Sequence, residues 1–95
     1  MNDKKAYEQK MEARLEEWAA EIDKLKARAK KSDAEAKIEI NNQIDEAKEM
    51  QQKVEDRLDE LRSTSDDAWS DIKQGLDAAS ASLGASLRSA VSRFS

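Results

Sequence analysis

Ala29-Lys30-Lys31-Ser32-Asp33-Ala34-Glu35-Ala36 decides how this chain folds, because the apolar stripes on either side of it do not share a phase. Before it, from Tyr7 and Met11 onward, the stripe runs Leu15, Trp18, Ile22, Leu25, Ala29, in alternating steps of three and four. That spacing is the seam of a coiled coil. Continued unchanged, it would reach Ser32 and, past Ala36, Glu39. It restarts shifted instead, at Ile40, Ile44, Ala47, Gln51, Val54, Leu58 and Leu61. One unbroken helix would absorb this slip as a stutter, which locally unwinds a supercoil. A turn would absorb it by ending one helix and starting another, and Ser32-Asp33-Ala34-Glu35 has the form of a capping box. No glycine stands there to end the first helix, so the sequence favours the unbroken helix and leaves the turn as the alternative.

Composition makes a helix the default on both sides. The chain has no proline, and its two glycines, Gly75 and Gly84, come late. Ala, Glu, Lys, Gln, Leu and Arg, the strongest helix formers, dominate the first two-thirds. With 38% apolar and 40% charged residues among 95, a broad globular core is not expected. A long helix that buries a narrow stripe is.

A second boundary falls at Arg62-Ser63-Thr64-Ser65-Asp66-Asp67. Serine, threonine and aspartate compete with helical hydrogen bonds and prefer caps. Arg62 sits where a helix C-terminus favours a cation, and the aspartates sit where a new N-terminus favours anions. The composition changes here too. Charged residues number 31 in the first 63 positions and 7 in the last 32, while nine of the ten serines lie from Ser63 onward. The last segment is strongly amphipathic. Trp69, Ile72, Leu76, Leu83, Leu87, Val91 and Phe94 share one face, with serine and alanine opposite. Gly75 and Gly84 fall off that stripe, so this helix needs a surface to fold against.

The expected fold is therefore all-α: an elongated coiled coil or helical hairpin. Residues 1–62 form a charged coiled-coil helix (helical from about 3), 63–65 a turn, and 66–95 a Ser/Ala-rich amphipathic helix that returns. The alternative is a three-helix bundle with turns near 32 and 64. In the hairpin, a 60-residue helix spans ~90 Å and its return only ~44 Å. Tyr7, Met11, Leu15, Trp18, Ile22 and Leu25 would stay bare. A bare stripe that long predicts a partner, most simply a second copy arranged antiparallel. The last helix carries a different expectation. A serine-rich, sparsely charged polar face opposite bulky apolar residues is the pattern of helices that fold onto loosely packed membranes. Its bland reading is bundle packing.

The chemistry expected is minimal. There is no histidine and no cysteine, which removes the commonest general base, the commonest metal ligand and the thiol nucleophile. No glycine-rich phosphate loop is present. Carboxylate pairs such as Glu12 and Glu16 read as a solvated helix surface. No catalytic residue, cofactor, metal or small-molecule substrate is predicted. The net charge of −4 is mild and its signs are interleaved. Lys24, Lys26, Arg28, Lys30 and Lys31 spread around the helix rather than forming a stripe, so no nucleic-acid partner is expected. No apolar run follows Met1-Asn2-Asp3-Lys4-Lys5, and none approaches the ~20 residues of a membrane span, so a soluble, cytoplasmic protein is expected.

Four stretches carry a resemblance: Asp3-Lys4-Lys5-Ala6-Tyr7; Glu-Glu-Trp-Ala-Ala-Glu-Ile-Asp-Lys-Leu-Lys-Ala at 16–27; Ala-Lys-Ile-Glu at 36–39; and Asp-Ala-Trp-Ser-Asp-Ile-Lys at 67–73. Together they resemble a family of small bacterial coiled-coil proteins, some described as stress-responsive and most without assigned activity. The likeness spans nearly the whole chain. It implies a non-enzymatic, stress-associated role and no catalytic residue. Family members carry glycine in the turn before the later tryptophan, where this chain has Ser63-Thr64-Ser65. The last helix also looks like the exchangeable apolipoprotein type.

Overall fold

The computed structural model describes residues 3–94 and contains three helices: α1 (Asp3–Lys30), α2 (Ala34–Arg62) and α3 (Trp69–Phe94). No strand is present among the described residues. The all-α class is as expected, and of the two topologies the molecule takes the three-helix bundle. The unbroken helix over 3–62 is not formed. The helices have 28, 29 and 26 residues, so each is about 40 Å long. Packed up, down and up, they make a rod of 51 × 19 × 18 Å.

The first turn shows why no glycine was needed. α1 tightens at its end, where the Lys31 and Ser32 amides donate to the Arg28 and Ala29 carbonyls at 3.1 and 3.2 Å. The Ser32 hydroxyl donates back to the Arg28 carbonyl at 2.8 Å. Asp33 then takes an extended backbone (φ −70°, ψ 175°), and its carboxylate accepts from the Ala36 amide at 2.9 Å. The N-cap is therefore Asp33, one residue later than a Ser32–Glu35 box would place it. Its formal charge at a helix N-terminus makes it the stronger acceptor there. No described residue has a positive φ, so the chain reverses without the conformation that favours glycine.

The second turn is longer than 63–65. The Ser63 amide donates to the Asp59 carbonyl, the Thr64 amide to Leu61, and both hydroxyls to the Glu60 carbonyl. A further turn, closed by the Ala68 amide on the Ser65 carbonyl, delays the start of α3 to Trp69. From α1, the Lys4 ammonium donates to the carbonyls of Arg62 and Thr64. A cation thus sits on the negative end of α2.

One core runs the length of the rod. α1 contributes Tyr7, Met11, Ile22, Leu25 and Ala29, and α2 contributes Ile40, Ile44, Ala47, Val54, Leu58 and Leu61. α3 adds Leu76, Leu83, Leu87 and Ala90. Both phases of the split stripe are buried, and that is the energetic reason for the break at 31–33. Turning lays α2 and α3 over the α1 stripe, whereas an unbroken 3–62 helix would leave that stripe in water, because α3 is long enough to cover only one half of such a helix. α2 packs closely on both neighbours, and the α1–α3 side is the least completely closed.

Candidate interaction groove

The α1–α3 side changes character along its length. At the end nearest the N-terminus it is closed by polar and aromatic contacts. The buried Tyr7 ring lies 5.8 Å from that of Trp69, and its hydroxyl donates to Asp77 Oδ1. Lys73 Nζ donates to Asp77 Oδ2 at 2.8 Å and stands 5.1 Å from the centre of the Tyr7 ring. Burial raises the Tyr7 phenol well above its ordinary range, and the adjacent Asp77 raises it further. For Asp77 burial acts upward, but the hydrogen bonds from Lys73 and Tyr7 outweigh it and hold the carboxyl below its ordinary value. The result is a Tyr7–Asp77–Lys73 clasp that ties α3 to α1. One turn further on, the buried Ser80 hydroxyl lies 3.9 Å from the Met11 sulfur.

Beyond Ser80 the α1–α3 side opens into a groove. Trp18 lies half-buried against the core, with its indole edge towards Gly84. A Cβ on Gly84 would lie 3.5 Å from Arg88 Nη1 and 3.9 Å from Trp18 Nε1, which is ordinary contact. Gly84 therefore avoids no clash; it lowers the floor of an open groove of about 600 Å³ walled by Trp18, Leu87 and Val91. A second hollow of about 210 Å³ shares Val91 and continues past Leu25 to Phe94. The α1 rim of this combined groove reads Glu17, Glu21, Lys24, Arg28. Both acids are at one end and both bases at the other.

The structure relocates the residues singled out from the sequence. Tyr7, Met11, Ile22 and Leu25 are buried within the chain, and Leu15 and Trp18 are partly buried on the same core. That seam does not stand bare, and no second copy is needed to cover it. The reason is the turn at 31–33, which folds α2 over α1. On α3, Leu76, Leu83 and Leu87 are buried, while Trp69, Ile72, Val91 and Phe94 pack on the core with part of their surface in solvent. The predicted apolar face of α3 is one face, and in this state it points inward.

Three residues were missed. Ser80 is buried on the stripe between Leu76 and Leu83, and its position four after Leu76 was the available signal. Asp77 and Lys73 of the clasp, four residues apart on one helix face, carried no signal that their partner would be Tyr7. Among the described residues no cluster of three or more potential ligands could hold a metal ion, and no buried side-chain nitrogen or oxygen lacks a partner. Among the described residues no helix is long and apolar enough to cross a membrane. The groove can offer apolar contact and patterned charge. Compared with protein-family models, curated proteins and solved structures, the chain matches none of them.

Proposed function

We propose that this chain is a non-enzymatic interaction protein: a short helical rod that presents the open part of its α1–α3 side to another macromolecule. One observation carries the reading. Partly exposed apolar surface of Trp18, Val91 and Phe94 is gathered around a single groove, while the only strongly exposed large apolar residue among the described ones is the isolated Ile38. Surfaces that gather apolar side chains inside a charged rim are those that bind. A photo-crosslinking residue in place of Val91 should give adducts of discrete mass in cells. The same residue in place of Asn42, on the exposed face of α2, should give none. Equal yields at the two positions would remove the groove from the account.

A second reading, binding to a membrane surface, is favoured by α3. Between Asp77 and Arg88 it carries no charge, and it has the highest apolar content of the three helices. To use its stripe on lipid, α3 must leave α1 and α2, because one face cannot serve both. Small, loosely packed liposomes should then slow amide exchange in α3 and speed it in α2 around Ile44, Val54 and Leu58. Unchanged exchange in the presence of liposomes of every size and composition would leave α3 as bundle packing alone. A stress-associated setting belongs to this proposal through the resemblance noted above. Transcript levels that stay flat under heat, osmotic and oxidative stress would remove it.

A further inference from the structure

We infer that the partner seated on the α1–α3 groove is a second copy of this chain, with the two α1 helices antiparallel. The inference rests on the interaction reading above and names its partner. The α1 rim of the groove, which has Arg88 of α3 across from its acidic end, is self-complementary in one orientation only. Glu17, Glu21, Lys24 and Arg28 follow one another along α1 at steps of four, three and four, so all four lie on one face. Laid antiparallel about a two-fold axis between Glu21 and Lys24, Glu17 of each copy meets Arg28 of the other, and Glu21 meets Lys24. A parallel arrangement would set each charge against its like. Isologous contacts of this kind, in which residue i meets j and j meets i, are what a closed dimer requires.

The state of these side chains within one chain fits that role. Among the described residues Glu17 and the Arg28 guanidinium form no ion pair. Lys24 reaches Glu21 of its own helix at 3.4 Å, but the lysine side chain is 74% exposed and can exchange partners. Some other charges beside the core on α1 and α2 are already paired. Arg62, for example, bridges Glu12 at 2.6 Å and Asp59 at 2.8 Å. The apolar floor supplies the attraction, and Trp18 comes opposite Ala27 of the other copy in the same register. The charges fix direction more than affinity, as exposed pairs do. This dimer is distinct from one built on the Tyr7-to-Leu25 seam, because it leaves the three-helix core of each copy intact.

Charge reversal tests it. In sedimentation equilibrium the wild-type chain should approach twice its monomer mass as concentration rises. Glu17→Lys with Glu21→Lys places four cations together in each half of the interface, and Lys24→Glu with Arg28→Glu places four anions there. Each double variant should keep its helical spectrum and weaken self-association by about tenfold or more. An equimolar mixture of the two should associate again, because the cations of one then face the anions of the other in both halves of the interface. The chain carrying all four reversals should also dimerise. A wild-type chain that stays monomeric at every concentration overturns the inference, as does a dimer that both double variants retain or a mixture that fails to reassociate. A monomeric chain that still gives adducts from position 91 sinks the second copy and spares the interaction reading; one that gives none sinks both.

Discussion

Removing the Asp33 cap should lower stability without changing topology, and the two effects can be measured separately. Asp33→Ala deletes the carboxylate that accepts from the Ala36 amide at 2.9 Å. Loss of an N-cap costs about 1 kcal/mol, within a range of roughly 0.5–2. For a domain of this size that lowers the melting temperature by about 4–8 °C per kcal/mol. Alanine also favours helix, so the variant pushes the chain towards the unbroken helix that the sequence first suggests. Packing opposes it. A straight monomer would expose Tyr7, Met11, Ile22 and Leu25, all buried in the bundle. At roughly 1.5–3 kcal/mol each, their burial outweighs the cap several-fold. The geometry makes the test sharp. Glu12 and Arg62 touch at 2.6 Å, whereas fifty residues of straight helix would hold them about 75 Å apart. Spin labels on Glu12→Cys and Arg62→Cys, diluted with unlabelled chain, should report a short distance with and without Asp33→Ala. Thermal denaturation should show the modest loss. A distance near the straight-helix value in either background would refute the packing argument.

Three other perturbations have defined signs. Nothing lies within 4 Å of a Cβ built on Gly75, so Gly75→Ala should stabilise α3 by about 1 kcal/mol and raise the melting temperature. Leu83 is fully buried, and Leu83→Ala should cost roughly 2–5 kcal/mol by chemical denaturation, a large share of the stability of so small a bundle. The clasp should respond to pH at both ends. The Asp77 carboxyl is held below its ordinary value in the fold, so its contribution is complete above the carboxylate range and fades as pH falls through the folded value. The Tyr7 phenol is raised, so its contribution is complete below the ordinary phenol range and fades as pH climbs through the folded value. Asp77→Asn should therefore destabilise the bundle at neutral pH and converge on wild type near pH ~2, below the carboxylate range. A constant difference between the two would show that the charge on Asp77 does not support the clasp.

What could be read from sequence was the inward face of each helix. Met11, Ile22 and Leu25, then Ile40, Ile44, Val54, Leu58 and Leu61, then Leu76, Leu83 and Leu87 are all buried as the periodicity required. Periodicity depends on the order of residues along one helix, and burial follows it whatever the helix packs against. The partner of each face was harder to read, because that depends on whether residues 31–33 bend. Local signals there are nearly balanced. Lys30, Lys31, Ala34 and Glu35 favour helix, Ser32 and Asp33 favour a cap, and no glycine or proline tips the choice. The phase slip between Ala29 and Ile40 does not tip it either, because eleven residues are close to three helical turns and a straight helix would carry both stripes on one face; what decides is reach, since α3 is long enough to cover only one of them. The binding face was illegible for a related reason. Trp18 lies on the same seam as Ile22 and Leu25, and nothing in the spacing tells it apart from them. It stays half-exposed because the α3 residue opposite is Gly84, which leaves the indole uncovered where a larger side chain would close over it. The two glycines thus have different parts in one helix. Gly75 faces open space and weakens α3, whereas Gly84 shapes the groove, so Gly84→Leu should cover Trp18 and shift its emission to the blue in a Trp69→Phe background. It should also stabilise the monomer, because a leucine replaces a helix-weakening glycine and fills apolar space. By occupying the floor on which another chain would rest, the same change should abolish association through the α1–α3 side. If Gly84→Leu left association intact, the contact would have to lie elsewhere on the rod.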